Sequence, residues 1–430
     1  MKKLITCASL AAVGAMTVDA QPIGEPSTSK LWSVSAKLRG FYDDNYNTGP
    51  DAGSAGSRPA KRDSWGVIFS PSVGFNVLKE QTTMNARVDY DLRWYEDRTE
   101  NEIDNTVRAD LQLFHDFTES YRLELKEQFV YAQEPEVLEP GMQTAFLRTD
   151  NSNIRNYAAI GFLSDFSETM GSRVGYENTI LDYEEEGDGS RSALLDRMQH
   201  LISVDLRRHF QPTTTGLVGY QYGIIDMTSD DRLANPIFVG LPPAQVPTAD
   251  FRNQTSHYGF VGVDHRMSTT LSTQARVGVQ YADYDNAGED YLAPYADVAL
   301  SYVYREGSRV MFGVRHGISP TDVAMSTAGQ SGTTLATETT LVYAAISHRI
   351  APKLIGYVRG SWQGMQYLGG AYDGEFDNFI NVDVNLTYEL NRNVALEAGY
   401  LFDDLMSDIT DGGDRSYTRN RGYVGVKATY

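Results

Sequence analysis

From Met84 to Trp94 the chain alternates without a break. Met84, Ala86, Val88, Tyr90, Leu92 and Trp94 fall on one side, while Asn85, Arg87, Asp89, Asp91 and Arg93 fall on the other. A side-chain period of two is the mark of a β-strand with one apolar and one polar face. In a soluble sandwich the apolar face would meet a second sheet. In a membrane barrel it would meet lipid, and the charged face would line the lumen. A single strand fits both.

The spacing of such segments separates the two. The alternation predicts strands near 31–43, 64–78, 84–96, 105–117, 120–133, 154–165, 168–183, 195–209, 212–226, 254–267, 270–284, 291–305, 308–319, 337–350, 353–367, 377–390, 394–404 and 419–430. Every second connection is a tight turn: Lys79–Thr83, Thr118-Glu119, Phe166-Ser167, Phe210-Gln211, Ser268-Thr269, Glu306-Gly307, Ala351-Pro352 and Asn391–Asn393. The others, such as Asp44–Asp63, Glu134–Asn153, Met227–Asn253 and Pro320–Ala336, are long and polar. Short periplasmic turns alternating with long outer loops is the plan of an outer-membrane barrel, whereas a sandwich has no reason to gather its short turns at one end. The expected fold is therefore all-β, a transmembrane antiparallel up-and-down barrel of about 18 strands. Sixteen strands is the alternative, because Leu195, Met198, Leu201, Ile202 and Leu206 also fit a helical stripe.

Composition narrows the field further. After the first 20 positions no stretch of 18 uncharged apolar residues occurs, so helical spans are excluded. The lone Cys7 excludes a disulfide framework and a Cys-ligated metal centre. A net charge of −20 argues against nucleic acid as a partner. At the N-terminus, Lys2 and Lys3, an apolar run through Met16, and Val18-Asp19-Ala20 read as a secretory signal peptide over residues 1–20, with 21–430 as the barrel domain. A lipobox around Cys7 is the weaker reading, since most of the apolar run follows it. The 27 Tyr, with Trp32, Trp65, Trp94 and Trp362, fit aromatic girdles at the two membrane interfaces.

Alternation also selects a lumen-facing set. It contains Arg39, Arg87, Asp89, Asp91, Arg93, Arg108, Asp110, Arg122, Glu124, Lys126, Arg197, Asp205 and Arg207, with Asp383 and Glu389. Opposed rows of arginine and carboxylate would set up a transverse field in a water-filled pore, or would pair across strands and hold register. Five acidic segments, Glu96–Asp104, Asp182–Asp188, Asp283–Asp290, Asp373–Asp377 and Asp403–Asp414, together account for the chain's net charge. They could share divalent cations with lipopolysaccharide phosphates, although none has the spacing of a calcium loop. His115, His209, His265 and His348 stand near short turns and read as interfacial residues rather than ligands. No catalytic motif is present, so no catalytic, cofactor or metal residue is assigned and the chain is not expected to be an enzyme.

The end of the chain, Tyr423-Val424-Gly425-Val426-Lys427-Ala428-Thr429-Tyr430, resembles the C-terminal signal of outer-membrane barrels, with Tyr423, Gly425 and Tyr430 at its marking positions. That resemblance implies delivery to the barrel-assembly machinery of a Gram-negative-type envelope. More widely, Leu38–Asn47, Ala132–Glu136, Ser192–Arg197, Gly216–Gly223 and Ser416–Arg421 make the chain similar to the Putative beta-barrel porin 2 family. The resemblance implies an outer-membrane channel for passive passage of small polar solutes. An exit channel for an exopolysaccharide and a surface structural or adhesion barrel stay open beside it, as do the solute and the oligomeric state.

Overall fold

A computed structural model describes residues 31–51, 60–98, 101–133, 152–325, 332–409 and 415–430. The proposed signal peptide, its cleavage site and Cys7 lie outside the described residues. Eighteen strands form one sheet: β1 (Trp32–Asp43), β2 (Ser64–Leu78), β3 (Thr82–Tyr95), β4 (Ile103–Asp116), β5 (Tyr121–Ala132), β6 (Asn153–Asp165), β7 (Met170–Tyr183), β8 (Arg197–Gln211), β9 (Thr214–Met227), β10 (Gln254–Arg266), β11 (Leu271–Tyr284), β12 (Glu289–Arg305), β13 (Ser308–Ser319), β14 (Ala336–Ala351), β15 (Leu354–Leu368), β16 (Phe376–Glu389), β17 (Val394–Ser407) and β18 (Tyr417–Thr429). Each pairs antiparallel with its neighbours in sequence, and β1 closes on β18 with Ser35 opposite Thr429 and Asp43 opposite Arg421. The shortest strands have 12 residues and the longest 17, more than the roughly 9–11 that a tilted strand needs to cross hydrocarbon.

The sixteen-strand alternative fails at the ambiguous segment, which divides. Ser190 accepts from the Ala193 N–H and caps a short helix, α1 (Arg191–Leu195); Asp196 breaks the helix, and β8 begins at Arg197. Only Leu195 of the apparent helical stripe is helical. Two tight turns also fall later than the sequence places them, at Pro212-Thr213 and Pro352-Lys353. Proline cannot donate to the ladder but suits a turn corner, so β8 and β14 run up to their prolines, each with a register shift in its last residues.

The two faces differ as a barrel requires. Outward side chains such as Val34, Leu38, Val67, Phe69 and Val73 on β1 and β2, and Val218, Val261 and Val277 further round, stand exposed. A water-soluble monomer does not carry so extended an apolar surface. Trp32, Trp65, Trp94 and Trp362 all point outward, and outward tyrosines pair their hydroxyls with polar neighbours, as Tyr90 with Asn105 and Tyr400 with Asn420.

The girdle does not account for the rest of the tyrosines. Tyr95, Tyr157, Tyr258, Tyr284, Tyr295, Tyr343 and Tyr367 are buried on the inner face. Several inner aromatics lie over a glycine directly opposite on the next strand: Phe41 over Gly66, Phe260 over Gly219, Tyr343 over Gly313 and Tyr423 over Gly399. Any Cβ at those glycines would collide with the ring. The pairs therefore pin register, since a one-residue slip would move each ring off its glycine.

At the end with the long connections, the loops fold against the inner wall. Leu233 and Ala249 from the connection after β9 pack with Ala324 and Met325 from the one after β13, with Leu194 of α1, and with Ile225 and Met227 at the top of β9. A second short helix, α2 (Pro236–Val239), and a 3-10 turn, Ala249–Arg252, lie in the first of these connections. Arg252 ties the segments together: Nε donates to the Thr334 carbonyl at 3.0 Å, Nη1 to that of Thr321 at 2.9 Å, and Nη2 to that of Val323.

Candidate functional site: the inner wall

Strand parity decides which side chains reach the lumen. On β3 the inward set is Arg87, Asp89, Asp91 and Arg93; on β4 it includes Arg108 and Asp110; on β5, Arg122, Glu124 and Lys126. Register brings Arg87 opposite Asp110 and Asp89 opposite Arg108, so the opposed rows lie side by side. Within β3, Arg87 Nε also approaches Asp89 at 2.7 Å. Asp110 accepts from Gln128 at 3.0 Å, and the Lys126 ammonium lies 5.3 Å from the Tyr157 ring. Glu124 is buried, and the other side chains of this set are partly exposed.

The remaining members disperse. Arg39 on β1 pairs with Glu397 on β17. Arg122 pairs with Asp116 at the short-turn end, at 2.5 Å. Asp205 and Arg207 sit buried on β8, with Arg207 3.1 Å from Asp264 of β10. Asp383 faces Arg359 across β16 and β15, and Glu389 closes β16 at the short-turn end. Arg197 stands apart from all of these: it is buried, and its Nη1 donates to the Leu195 carbonyl at 2.8 Å, bracing the end of α1.

Sequence reasoning left out much of the wall. Arg173 reaches Glu124 at 3.6 Å, Arg276 reaches Asp264 at 2.7 Å and Arg315 reaches Asp297 at 3.6 Å. Glu177 accepts from Tyr157 at 2.9 Å. At the seam Arg419 and Arg421 both engage Asp43. The signal for each was the alternation already used on β3, carried on to β7, β10–β13 and β18. The whole lumen is thus laced with ion pairs, but unevenly. Around β3–β5 the wall is a dense field of mixed charge; around β14–β18 it is lined by Leu341, Tyr343, Met365, Phe379, Leu405 and Tyr417.

The acidic segments also divide. Three of their carboxylates turn inward at strand ends rather than outward to solvent. Asp104 pairs with Arg98 at 2.6 Å, Asp377 accepts from Tyr367 at 2.6 Å, and Asp403 accepts from Asn381 at 2.6 Å. Residues 99, 100 and 410–414 of these segments lie outside the described residues. Among the described residues no three His, Asp or Glu side chains converge as a metal site would require. The four histidines near short turns each meet a hydroxyl on an adjacent strand: His115 with Thr82, His209 with Thr215, His265 with Thr214, and His348 with Ser308, while His348 also meets Tyr304 two strands away on β12.

Outside the strands, burial leaves its mark on three titratable groups. Burial raises the Asp196 carboxyl above its ordinary value, although Ser192 Oγ (2.5 Å) and the Tyr183 N–H (2.8 Å) donate to it. Burial lowers Arg252 to about 10, against the pull of Asp322, so it remains a cation at neutral pH. For Arg415 burial acts in the same direction, but Asp322, 2.9 Å away, together with Tyr367 and Asp377, outweighs it and raises the group.

The C-terminal positions have structural partners. Gly425 lies opposite Arg39. Tyr423 accepts from Asn385 at 2.6 Å and lies beneath the Arg39 guanidinium. Tyr430 exchanges backbone hydrogen bonds with Val34, of 2.8 and 3.2 Å.

A sequence model of the family described as Putative beta-barrel porin 2 matches residues 22–430. No curated protein matches the chain. Solved structures similar to it include the outer membrane protein opdK of Pseudomonas aeruginosa, at 10% identity and TM-score 0.44 over 93% of this chain and 99% of that one. OccAB4 of Acinetobacter baumannii is 14% identical with TM-score 0.43, over 94% and 100%. A BenF-like porin of Pseudomonas fluorescens Pf-5 is 10% identical with TM-score 0.45, over 93% and 99%.

Proposed function

The chain belongs to the Putative beta-barrel porin 2 family, and from that premise we propose that it forms a water-filled channel in the bacterial outer membrane through which small polar solutes diffuse. The observation that carries this reading is the closed 18-stranded sheet with its charged, largely half-exposed inner wall at β3–β5. A barrel of this strand number is wide enough to leave an aqueous path, and a mixed-charge wall favours polar solutes over apolar ones. Family and fold speak for a channel rather than an enzyme. The outer acidic segments fit a vestibule that gathers cations and meets lipopolysaccharide, with divalent ions between the two sets of anions. Tyr423, Gly425 and Tyr430 fit a role in handing the chain to the assembly machinery.

Planar-bilayer recording of the purified protein tests the channel. Discrete conductance steps in simple salt are expected, with solute flux into protein-loaded liposomes. A purified, folded barrel that leaves the bilayer silent and the liposomes sealed defeats the reading.

A further inference from the structure

On much of the inner wall carboxylates hold the arginines: Glu397 holds Arg39, Glu124 holds Arg173, Asp264 holds Arg276 and Asp297 holds Arg315. Toward the short turns of β13–β15 the pattern stops. Arg309 of β13, Arg349 of β14 and Arg359 of β15 point inward, and among the described residues none has a carboxylate within ion-pair distance. All three are half-buried. Arg309 Nε donates to Ser301 Oγ at 2.9 Å, and the enclosed Nε of Arg349 lies against Gly307 in the turn before β13, where a Cβ would stand 2.7 Å away. The Nε of Arg359 is enclosed as well. The terminal nitrogens of all three guanidinium groups stay accessible and, among the described residues, unbonded.

Register sets Arg309 opposite Ser347 and Arg359 opposite Ala345, one on each side of β14. Both of these β14 side chains are small, so neither fills the space between the two arginines. The buried Met311, Ala345 and Tyr357 pack together as the floor of that space. Arg349 follows Ser347 on the same face of β14, nearer the turn. The flanking strands do little to neutralise the three cations. Asp297 of β12 is taken by Arg315 at 3.6 Å, while Asp383 and Glu389 of β16 stay beyond ion-pair distance of all three. The acidic segments lie at the opposite end of the barrel.

A guanidinium fork makes paired, charge-assisted hydrogen bonds to a carboxylate or a phosphate. A cation would be repelled by three such groups, and a neutral solute would gain no more from them than water does. We propose that Arg309 and Arg359, with Arg349 beside the turn, bind the oxyanion group of a solute, a carboxylate or a phosphate, at the short-turn end of the lumen. The proposal rests on the channel reading above and gives the charge of the solute class for it.

Single channels of the full chain in a planar bilayer test the site. At constant potassium, chloride is replaced stepwise by inorganic phosphate in one series and by acetate in another. A saturable reduction of the current is expected with at least one of them, and the stronger effect tells a phosphate site from a carboxylate site. Arg309→Gln and Arg359→Gln should each raise the half-saturating concentration about tenfold, the scale of one charge-assisted hydrogen bond. Neither arginine holds a carboxylate, so neither change strands a buried anion. Arg309→Lys keeps the charge without the fork and should fall between the parent and Arg309→Gln. A reduction that never saturates, or that is the same in the parent and both Gln variants, overturns the proposal. So does an equal, saturable reduction by glucose. If the channel passes no current in plain potassium chloride, the channel reading falls instead. Calorimetric titration of detergent-solubilised parent and Arg309→Gln with phosphate and acetate then decides the site alone: binding weakened by the variant upholds it, and absent or unaltered binding overturns it.

Discussion

Arg39 on β1 and Glu397 on β17 form an ion pair across a strand to which neither belongs. Gly425 of β18 lies opposite both, and Arg39 Nε passes over it to donate to Glu397 Oε2 at 3.0 Å. Glu124 on β5 and Arg173 on β7 meet in the same way beside Gly161 of β6. Where an inner-face residue has no side chain, its two neighbours can reach each other, and three strands are fastened by one contact.

Gly425 should therefore tolerate nothing larger. A Cβ there would stand 2.5 Å from the Leu38 carbonyl and 2.6 Å from Arg39 Cγ. Gly425→Val is expected to cost roughly 3 kcal/mol, from crowding and from stranding the nearly buried Glu397. Denaturant unfolding in detergent measures it. In a double-mutant cycle, Arg39→Ala with Glu397→Ala should cost less than the sum of the two single changes.

The opposed rows on β3 and β4 predict a charge effect on permeation. Replacing both Arg87 and Arg108 with Glu should shift the reversal potential in a potassium chloride gradient toward cations, changing the permeability ratio severalfold. The shift should shrink as salt rises from about 0.1 M to about 1 M, where the screening length falls from about 10 Å to about 3 Å. A ratio unmoved at low salt would show that these side chains do not face the conducting path.

Arg252 holds the outer connections by three carbonyls. Arg252→Ala should free the connection before β14 and raise single-channel conductance, with more rapid proteolysis near Thr321 and Thr334. Arg252→Lys should go the same way, because one ammonium cannot serve three fixed acceptors with the geometry of a guanidinium.

Asp196 supplies a pH dependence. Its carboxyl is raised in the folded protein, so its contribution to stability is complete below the ordinary carboxylate value near 4. That contribution is lost as pH rises through the raised value. Asp196→Asn removes the titration. Its unfolding midpoint should therefore vary less with pH than the parent's from about 4 upward, as thermal denaturation at stepped pH would read.

The strands were legible because side-chain alternation is a local property: Met84–Trp94 shows its two faces without knowing its neighbours. The charged rows on β3–β5 were legible for the same reason, being inward by parity and adjacent by hairpin. What parity cannot reveal is reach. Nothing near Arg39 in the sequence points to Glu397, because their meeting depends on closure of the sheet and on a glycine between them. Arg197 shows another limit: it is inward by parity, yet local packing turns it to α1 instead of the pore. The inner tyrosines were obscured by composition, where a girdle explains Tyr90 and Tyr400 but not Tyr343, whose ring needs the bare backbone of Gly313. The inward fold of the outer connections had no periodic signal at all, since Arg252 sits in an aperiodic stretch.

The bond between the first strand and the last has a consequence for how the molecule is made. Asp43 meets Arg419 and Arg421 only when the earliest-synthesised strand finds the latest. Until then β1 and β18 each present an open row of backbone groups, a template for pairing with other chains. Contacts so distant in sequence are slow to form, so a half-made barrel has a long interval in which to aggregate. That interval ends only when the seam salt bridges form and the two open strand edges cover each other.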